Sequence, residues 1–108
     1  MRPSPPHAPN VVFETERGRV VHCACCGALE VRFGNALMEV HPDELADVLA
    51  SVATSDARFR PDAAVPATGS TVLYLGNSGS GWIFDAAETA ELHRLLAGAH
   101  LLFRGDAA

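Results

Sequence analysis

Lysine is absent from this chain of 108 residues, so its eight basic side chains are all arginines. Thirteen acidic residues outnumber them, which gives a formal net charge of −5, and the charges form no runs. A domain that binds nucleic acid needs a basic face to contact phosphate groups. We therefore expect no nucleic-acid partner.

Long apolar runs are absent too. No stretch approaches the roughly 18 to 20 apolar residues that a helix needs to cross a bilayer. The first ten residues also lack the hydrophobic segment of a secretory signal. We expect a cytoplasmic protein that has no membrane partner.

Cysteine is scarce, and its three copies all lie between positions 23 and 26. A disulfide framework spreads its bridges along the chain and needs an even number of thiols. The cluster therefore argues against such a framework and agrees with reduced thiols in the cytoplasm.

The residues that are present suffice for one domain with a modest core, because 48% of them are hydrophobic. Residues 1–10 contain four prolines, which remove backbone donors and favour extended conformations. We predict a disordered proline-rich arm over 1–10 and a single domain over 11–104.

The order of elements follows from periodicity and turn residues. A first hairpin is expected over 11–22, with Gly18 supplying the positive φ of its tight turn. Two similar strand-turn-strand-helix units follow at about 28–53 and 71–103, joined by a surface connection over 54–70. In the second unit, Tyr74 and Trp82 belong to paired strands and are expected to pack across the sheet.

Local turn and cap signals support these units. Gly34-Asn35 turns the chain in the first unit, and Asp85 with Glu88 forms a capping box before the second helix. One unit cannot bury its apolar face alone. We therefore predict an α+β fold in which both units and the first hairpin share one antiparallel sheet, with the two helices packed on one face.

Positions 22–27, with the sequence HCACCG, are the segment with evident chemistry. Cys23 and Cys26 form a C-x-x-C pair, the commonest way for one turn to give a zinc ion two ligands. Gly27 strengthens this interpretation, because the residue after the second cysteine often needs a backbone conformation that a side chain resists. A second C-x-x-C pair is missing, so the remaining ligands must come from elsewhere.

Geometry narrows the choice of these ligands. Counting outward from the Gly34-Asn35 turn puts residues 28 and 41 opposite each other, so His41 lies within reach of the cysteine turn. The expected primary ligands are Cys23, Cys26 and His41, with Cys25 or His22 as the fourth. His22 and Cys23 point to opposite faces of a strand, so both bind one ion only if the strand has ended by Cys23.

The same residues allow other interpretations. His41 precedes a helix and has the alternative role of a cap or a solvent-facing residue. The three thiolates of Cys23, Cys25 and Cys26 also suit Cu(I), and a C-x-x-C pair is able to form a reversible disulfide. Against a thioredoxin-type exchanger, the residues after Cys26 are strand-like, so no helix amino end lowers the pKa of a thiol.

A resemblance adds to this picture. The motif Cys23-x-x-Cys26-Gly27, followed by Leu29-x-Val31-x-Phe33-Gly34-Asn35 and a strand and helix, resembles a bacterial family of small domains of unknown function. The likeness covers about residues 20–103. It implies the fold and the cysteine pair and leaves the activity open, since the family has no assigned activity.

The function that the sequence predicts is a non-enzymatic, zinc-binding adaptor or sensor. Two subunits of a homodimer share the metal if each chain provides too few ligands. A thiol–disulfide switch is the second hypothesis. The third is an interaction module whose sheet edge recruits an unknown protein partner, with purely structural cysteines.

Overall fold

The computed structural model of the protein describes residues 9–23, 27–59, 69–74 and 81–107. The elements in chain order are β1 (Pro9–Glu14), β2 (Gly18–Cys23), β3 (Leu29–Phe33), β4 (Ala36–Val40), a 3₁₀ turn (Pro42–Glu44), α1 (Leu45–Ala57), β5 (Ser70–Tyr74), β6 (Gly81–Asp85) and α2 (Ala86–Ala107). The α+β class with an antiparallel sheet is confirmed.

The main sheet is antiparallel and has the order β1-β2-β3-β4. Its register aligns Phe13, Val20, Val31 and Met38 in one row across the four strands. This row belongs to the face that packs against the helices, because side chains alternate between the two faces of a strand. The opposite face carries Arg19, Arg32, Glu30 and other charged residues.

One core joins the sheet to both helices. From α1 it takes Leu45, Val48 and Val52, and from α2 it takes the fully buried residues Leu92, Leu95, Leu96 and Ala99. The two helices also contact each other. Both helices therefore pack on the same core, in agreement with the prediction that they lie on one face of the sheet.

The strands β5 and β6 form a separate two-stranded ribbon and, within the described residues, do not extend the main sheet as the sequence had led us to expect. Leu73 and Phe84 on the inner face of the ribbon are buried in the core that the main sheet and the helices share, where Phe84 packs edge-to-face on Phe33 of β3. The register pairs Leu73 with Trp82 and Tyr74 with Gly81. Tyr74 and Trp82 therefore lie on opposite faces, so the expectation that they pack together is wrong.

Gly18 is needed for a different reason from the one predicted. Its φ is not positive, unlike that of Gly34 in the β3–β4 turn, which is 58°. A Cβ atom on Gly18 would lie 2.8 Å from the carbonyl oxygen of Arg32 and 2.8 Å from side-chain atoms of Phe33 and Leu95. Close packing of α2 on the sheet therefore excludes a side chain here.

Other boundaries differ by a few residues. The capping box is confirmed: the Asp85 backbone N–H donates to the Glu88 carboxylate at 2.9 Å, and the Glu88 N–H donates to the Asp85 carboxylate at 2.8 Å. Helix α1 continues to Ala57, so the connection begins later than predicted. Strand β1 begins at Pro9, inside the predicted arm, and residues 1–8 lie outside the described residues.

Candidate metal centre

The cysteine turn is closed by two backbone hydrogen bonds. The Cys23 N–H donates to the Ala28 carbonyl at 3.0 Å, and the Gly27 N–H donates to the Cys23 carbonyl at 2.7 Å. Gly27 has a φ of 75°, which confirms that the residue after the motif needs a conformation that side chains resist. Cys25 and Cys26, two of the predicted ligands, lie outside the described residues.

Strand β2 continues through Cys23, which decides where His22 points. His22 lies on the core side, where its ring packs edge-to-face on Phe103 of α2 with centroids 5.1 Å apart and planes at 73°. Cys23 is half-buried and belongs to the opposite face of the strand. Because the strand has not ended before Cys23, the side chains of His22 and Cys23 point to opposite faces and do not bind one ion together.

His41 lies at the same end of the sheet as Cys23. The register pairs His22 with Leu29 and Leu29 with Val40, and one more step, beyond the ends of β3 and β4, would set Cys23, Ala28 and His41 in a row. The pairing of Leu29 with Val40 agrees with the predicted alignment near positions 28 and 41. Neighbouring strands are about 4.8 Å apart, so in such a row the Cα atoms of Cys23 and His41 would be separated by about 10 Å.

The backbone of His41 also starts the 3₁₀ turn. Its N–H donates to the Glu44 carboxylate at 3.1 Å, and its carbonyl accepts the Glu44 N–H at 2.9 Å. The residue itself is exposed. His41 is thus the N-cap residue of the 3₁₀ turn and forms a capping box with Glu44, which is the capping role that the sequence offered as an alternative.

No group of three histidine, cysteine or acidic side chains able to hold a metal ion occurs within the described parts of the chain. The predicted ligand set draws on Cys25 and Cys26, which this statement does not cover. The described half of the candidate site therefore consists of Cys23, Ala28 and His41, together with the turn-closing Gly27.

A buried carboxylate elsewhere was not predicted. Glu91 of α2 accepts hydrogen bonds from the Thr15 hydroxyl at 2.8 Å, the Arg17 backbone N–H at 2.7 Å and the Arg17 Nε at 2.8 Å. Burial raises the pKa of Glu91, but the bonds from Arg17 and Thr15 outweigh it, so the net shift is downward. This cluster fixes the β1–β2 turn to α2.

His93 of α2 is half-buried, and its Nδ1 lies 2.8 Å from the Asp56 Oδ2 of α1. The contact links the two helices, which gives His93 a structural role.

Three arginines rim an open depression of about 200 Å³ at the end of the sheet opposite the cysteine turn. Each one is paired with a carboxylate: Arg17 with Glu91, Arg19 with Glu14, and Arg32 with Glu30. The surrounding acidic side chains offset the positive charge, so the depression does not attract anions strongly.

The chain matches no protein-family model, no curated protein and no solved structure. The resemblance to a bacterial family of small domains therefore stays a prediction. No helix in the described residues is long and apolar enough to cross a membrane.

Proposed function

We propose that the protein is a non-enzymatic metal-binding module of the cytoplasm, an adaptor or sensor that holds a zinc-like ion at the cysteine turn. The ligands in this proposal are Cys23, Cys26 and His41, with Cys25 as the fourth. The observation that supports it is the pairing of His22 with Leu29 and of Leu29 with Val40, which brings the ends of β2 and β4, and with them Cys23 and His41, to the same end of the sheet.

The spacing of Cys23 and His41 in such a row suits an ion. A gap of about 10 Å between two Cα atoms is bridged when a cysteine and a histidine lean toward each other, with about 2.3 Å from sulfur to zinc and about 2.0 Å from nitrogen to zinc. Ala28 itself contributes only a methyl group between the two side chains. His22 is left out because it contacts Phe103 on the other face.

The turn itself supports the proposal. Its closing bond from Gly27 to Cys23 fixes the two ends of the segment that contains Cys25 and Cys26. A fixed turn lowers the entropy that is lost when thiolates gather around an ion. If the protein binds metal with fewer than four ligands per chain, the second copy of the turn completes the tetrahedron in a homodimer.

Metal analysis after purification in reducing buffer tests the proposal. Wild-type protein is expected to bind zinc stoichiometrically, and to give the thiolate charge-transfer and tetrahedral bands of a Co²⁺-substituted site. Cys23→Ser and Cys26→Ser should abolish binding, and His41→Gln should weaken it while the thiolate bands persist. His100→Gln, which removes a histidine from α2, is the matched control.

Stoichiometric metal that survives both cysteine substitutions would overturn the proposal. Selective binding of Cu(I) that is unchanged in His41→Gln would indicate the alternative site of three thiolates. If no metal binds, and mild oxidant removes a pair of thiols that a reductant restores, the disulfide switch is the better function. Strand β3 begins just after the turn, so no helix dipole favours the thiolate that such a switch uses.

A further inference from the structure

In the described part of the β5–β6 ribbon, the outer face is mainly apolar. Val72 and Ile83 are directly opposite each other and are 49% and 70% exposed, and Tyr74, in the next row of this face, is 71% exposed. The outer face of the main sheet is different, because it carries the ion pairs Arg19–Glu14 and Arg32–Glu30.

These residues form one continuous surface. Tyr74 is paired with Gly81, and a Cβ atom on Gly81 would lie 2.9 Å from the Tyr74 ring and 3.1 Å from Val72 Cγ1. The ring therefore lies over the glycine and extends the apolar surface toward Val72. An aromatic ring that covers a cross-strand glycine is a known way to stabilise a strand pair.

The acidic residue that the ribbon itself carries is turned away from this face. Asp85 ends the ribbon opposite Ser70, but its carboxylate accepts the Glu88 N–H at 2.8 Å and so faces the first turn of α2. Among the described residues of β5 and β6, none therefore presents a charge on this face.

We propose that this face binds the same face of a second copy of the chain. In a two-fold contact the same surface of both copies meets, and groups near the axis lie close to their own symmetry mates, so in a protein with a net charge of −5 a surface without charge is the one that avoids like-charge repulsion. A flat apolar surface is also complementary to itself. Packing of two ribbons face to face, about 10 Å apart, buries Val72, Tyr74 and Ile83 of both copies.

This dimer does not depend on the metal site. The interface is small, so the dissociation constant is expected to be roughly micromolar or weaker. Sedimentation velocity over a roughly hundredfold range of protein concentration should show a monomer–dimer equilibrium. Ile83→Lys should weaken dimerisation by roughly 30-fold or more, since it places two like charges near the centre of the contact.

Leu101→Lys is the matched control, because Leu101 is 73% exposed but lies on α2. It should leave the equilibrium unchanged, and circular dichroism establishes that both variants are folded. The double substitution Cys23→Ser with Cys26→Ser should dimerise like the wild type, which separates this contact from a metal-bridged one. A monomer at every concentration, an unaltered dimer in Ile83→Lys, or a dimer lost with the cysteines would overturn the proposal.

Discussion

Glu91→Gln is the substitution whose effect the structure specifies most closely. One carboxylate oxygen of Glu91 accepts from both the Arg17 backbone N–H and the Thr15 hydroxyl, and the other accepts from the Arg17 Nε. The Glu91 side chain is only 5% exposed, whereas that of Arg17 is 47% exposed. Glutamine has nearly the same shape, so the substitution removes the negative charge without opening a cavity.

The magnitude follows from the two bonds to the buried oxygen. A hydrogen bond to a charged group contributes about 1.5–3 kcal/mol, compared with about 0.5–1.5 kcal/mol for a neutral one. Glutamine keeps both bonds as neutral bonds, so each loses about 1 kcal/mol. We expect Glu91→Gln to lower the free energy of unfolding by about 2 kcal/mol at pH 7. The half-exposed guanidinium turns to water and adds nothing to this figure.

The pH dependence has a definite sign. The pKa of Glu91 is lower in the folded protein than the ordinary value of 4.5. The stabilisation by its charge is therefore fully present above pH 4.5 and is lost as the pH falls through the folded pKa. Glutamine does not titrate, so the difference between wild type and variant should narrow in acid.

Urea unfolding, followed by circular dichroism from neutral pH to acid, measures both effects. Glu14→Gln is the control, because Glu14 pairs with Arg19 at 2.8 Å but its side chain is 53% exposed. This exposed pair should contribute about 0.5 kcal/mol or less. A cost of Glu91→Gln no larger than that of Glu14→Gln, or one that stays constant with pH, would refute the reasoning.

Two further substitutions test the packing and the candidate site. Gly18→Ala should lower the free energy of unfolding by about 1–3 kcal/mol, because the added Cβ atom meets the Arg32 backbone. Gly27→Ala should lower it by only about 1 kcal/mol, because Gly27 has a positive φ but open space around it. Urea unfolding compares the two variants, and equal costs would contradict the steric explanation. His22→Ala should lower the free energy of unfolding by about 1 kcal/mol, because it removes the edge-to-face contact with Phe103. Metal analysis should find the same zinc content in this variant as in the wild type. A loss of zinc would indicate that His22 is a ligand.

The local elements can be recognised from the order of residues alone. Alternation of Leu29, Val31 and Phe33 with polar residues identified a strand with one buried face, and the same residues are buried in the fold. The capping box of Asp85 and Glu88 marked the start of α2. Such signals depend on residues a few positions apart, so they can be recognised without knowledge of the tertiary contacts.

Even part of the candidate site followed from local geometry. Counting residues from the Gly34-Asn35 turn aligned positions 28 and 41, because an antiparallel register is fixed by its turn. The unusual backbone conformation of Gly27, whose φ is positive, was predicted from its place directly after the second cysteine of the motif.

The tertiary structure alone decided the relations between distant segments. Gly18 was expected to serve a turn, but the approach of Leu95 from α2 is what excludes a side chain there. Glu91 gave no local signal, since its donors lie 74 and 76 positions away. The position of the β5–β6 ribbon depends on where its inner residues find apolar partners, and they find them in the core between the main sheet and the helices and not by pairing with the edge of that sheet. Burial depends on which surfaces meet, and the spacing of residues along a chain does not contain that information.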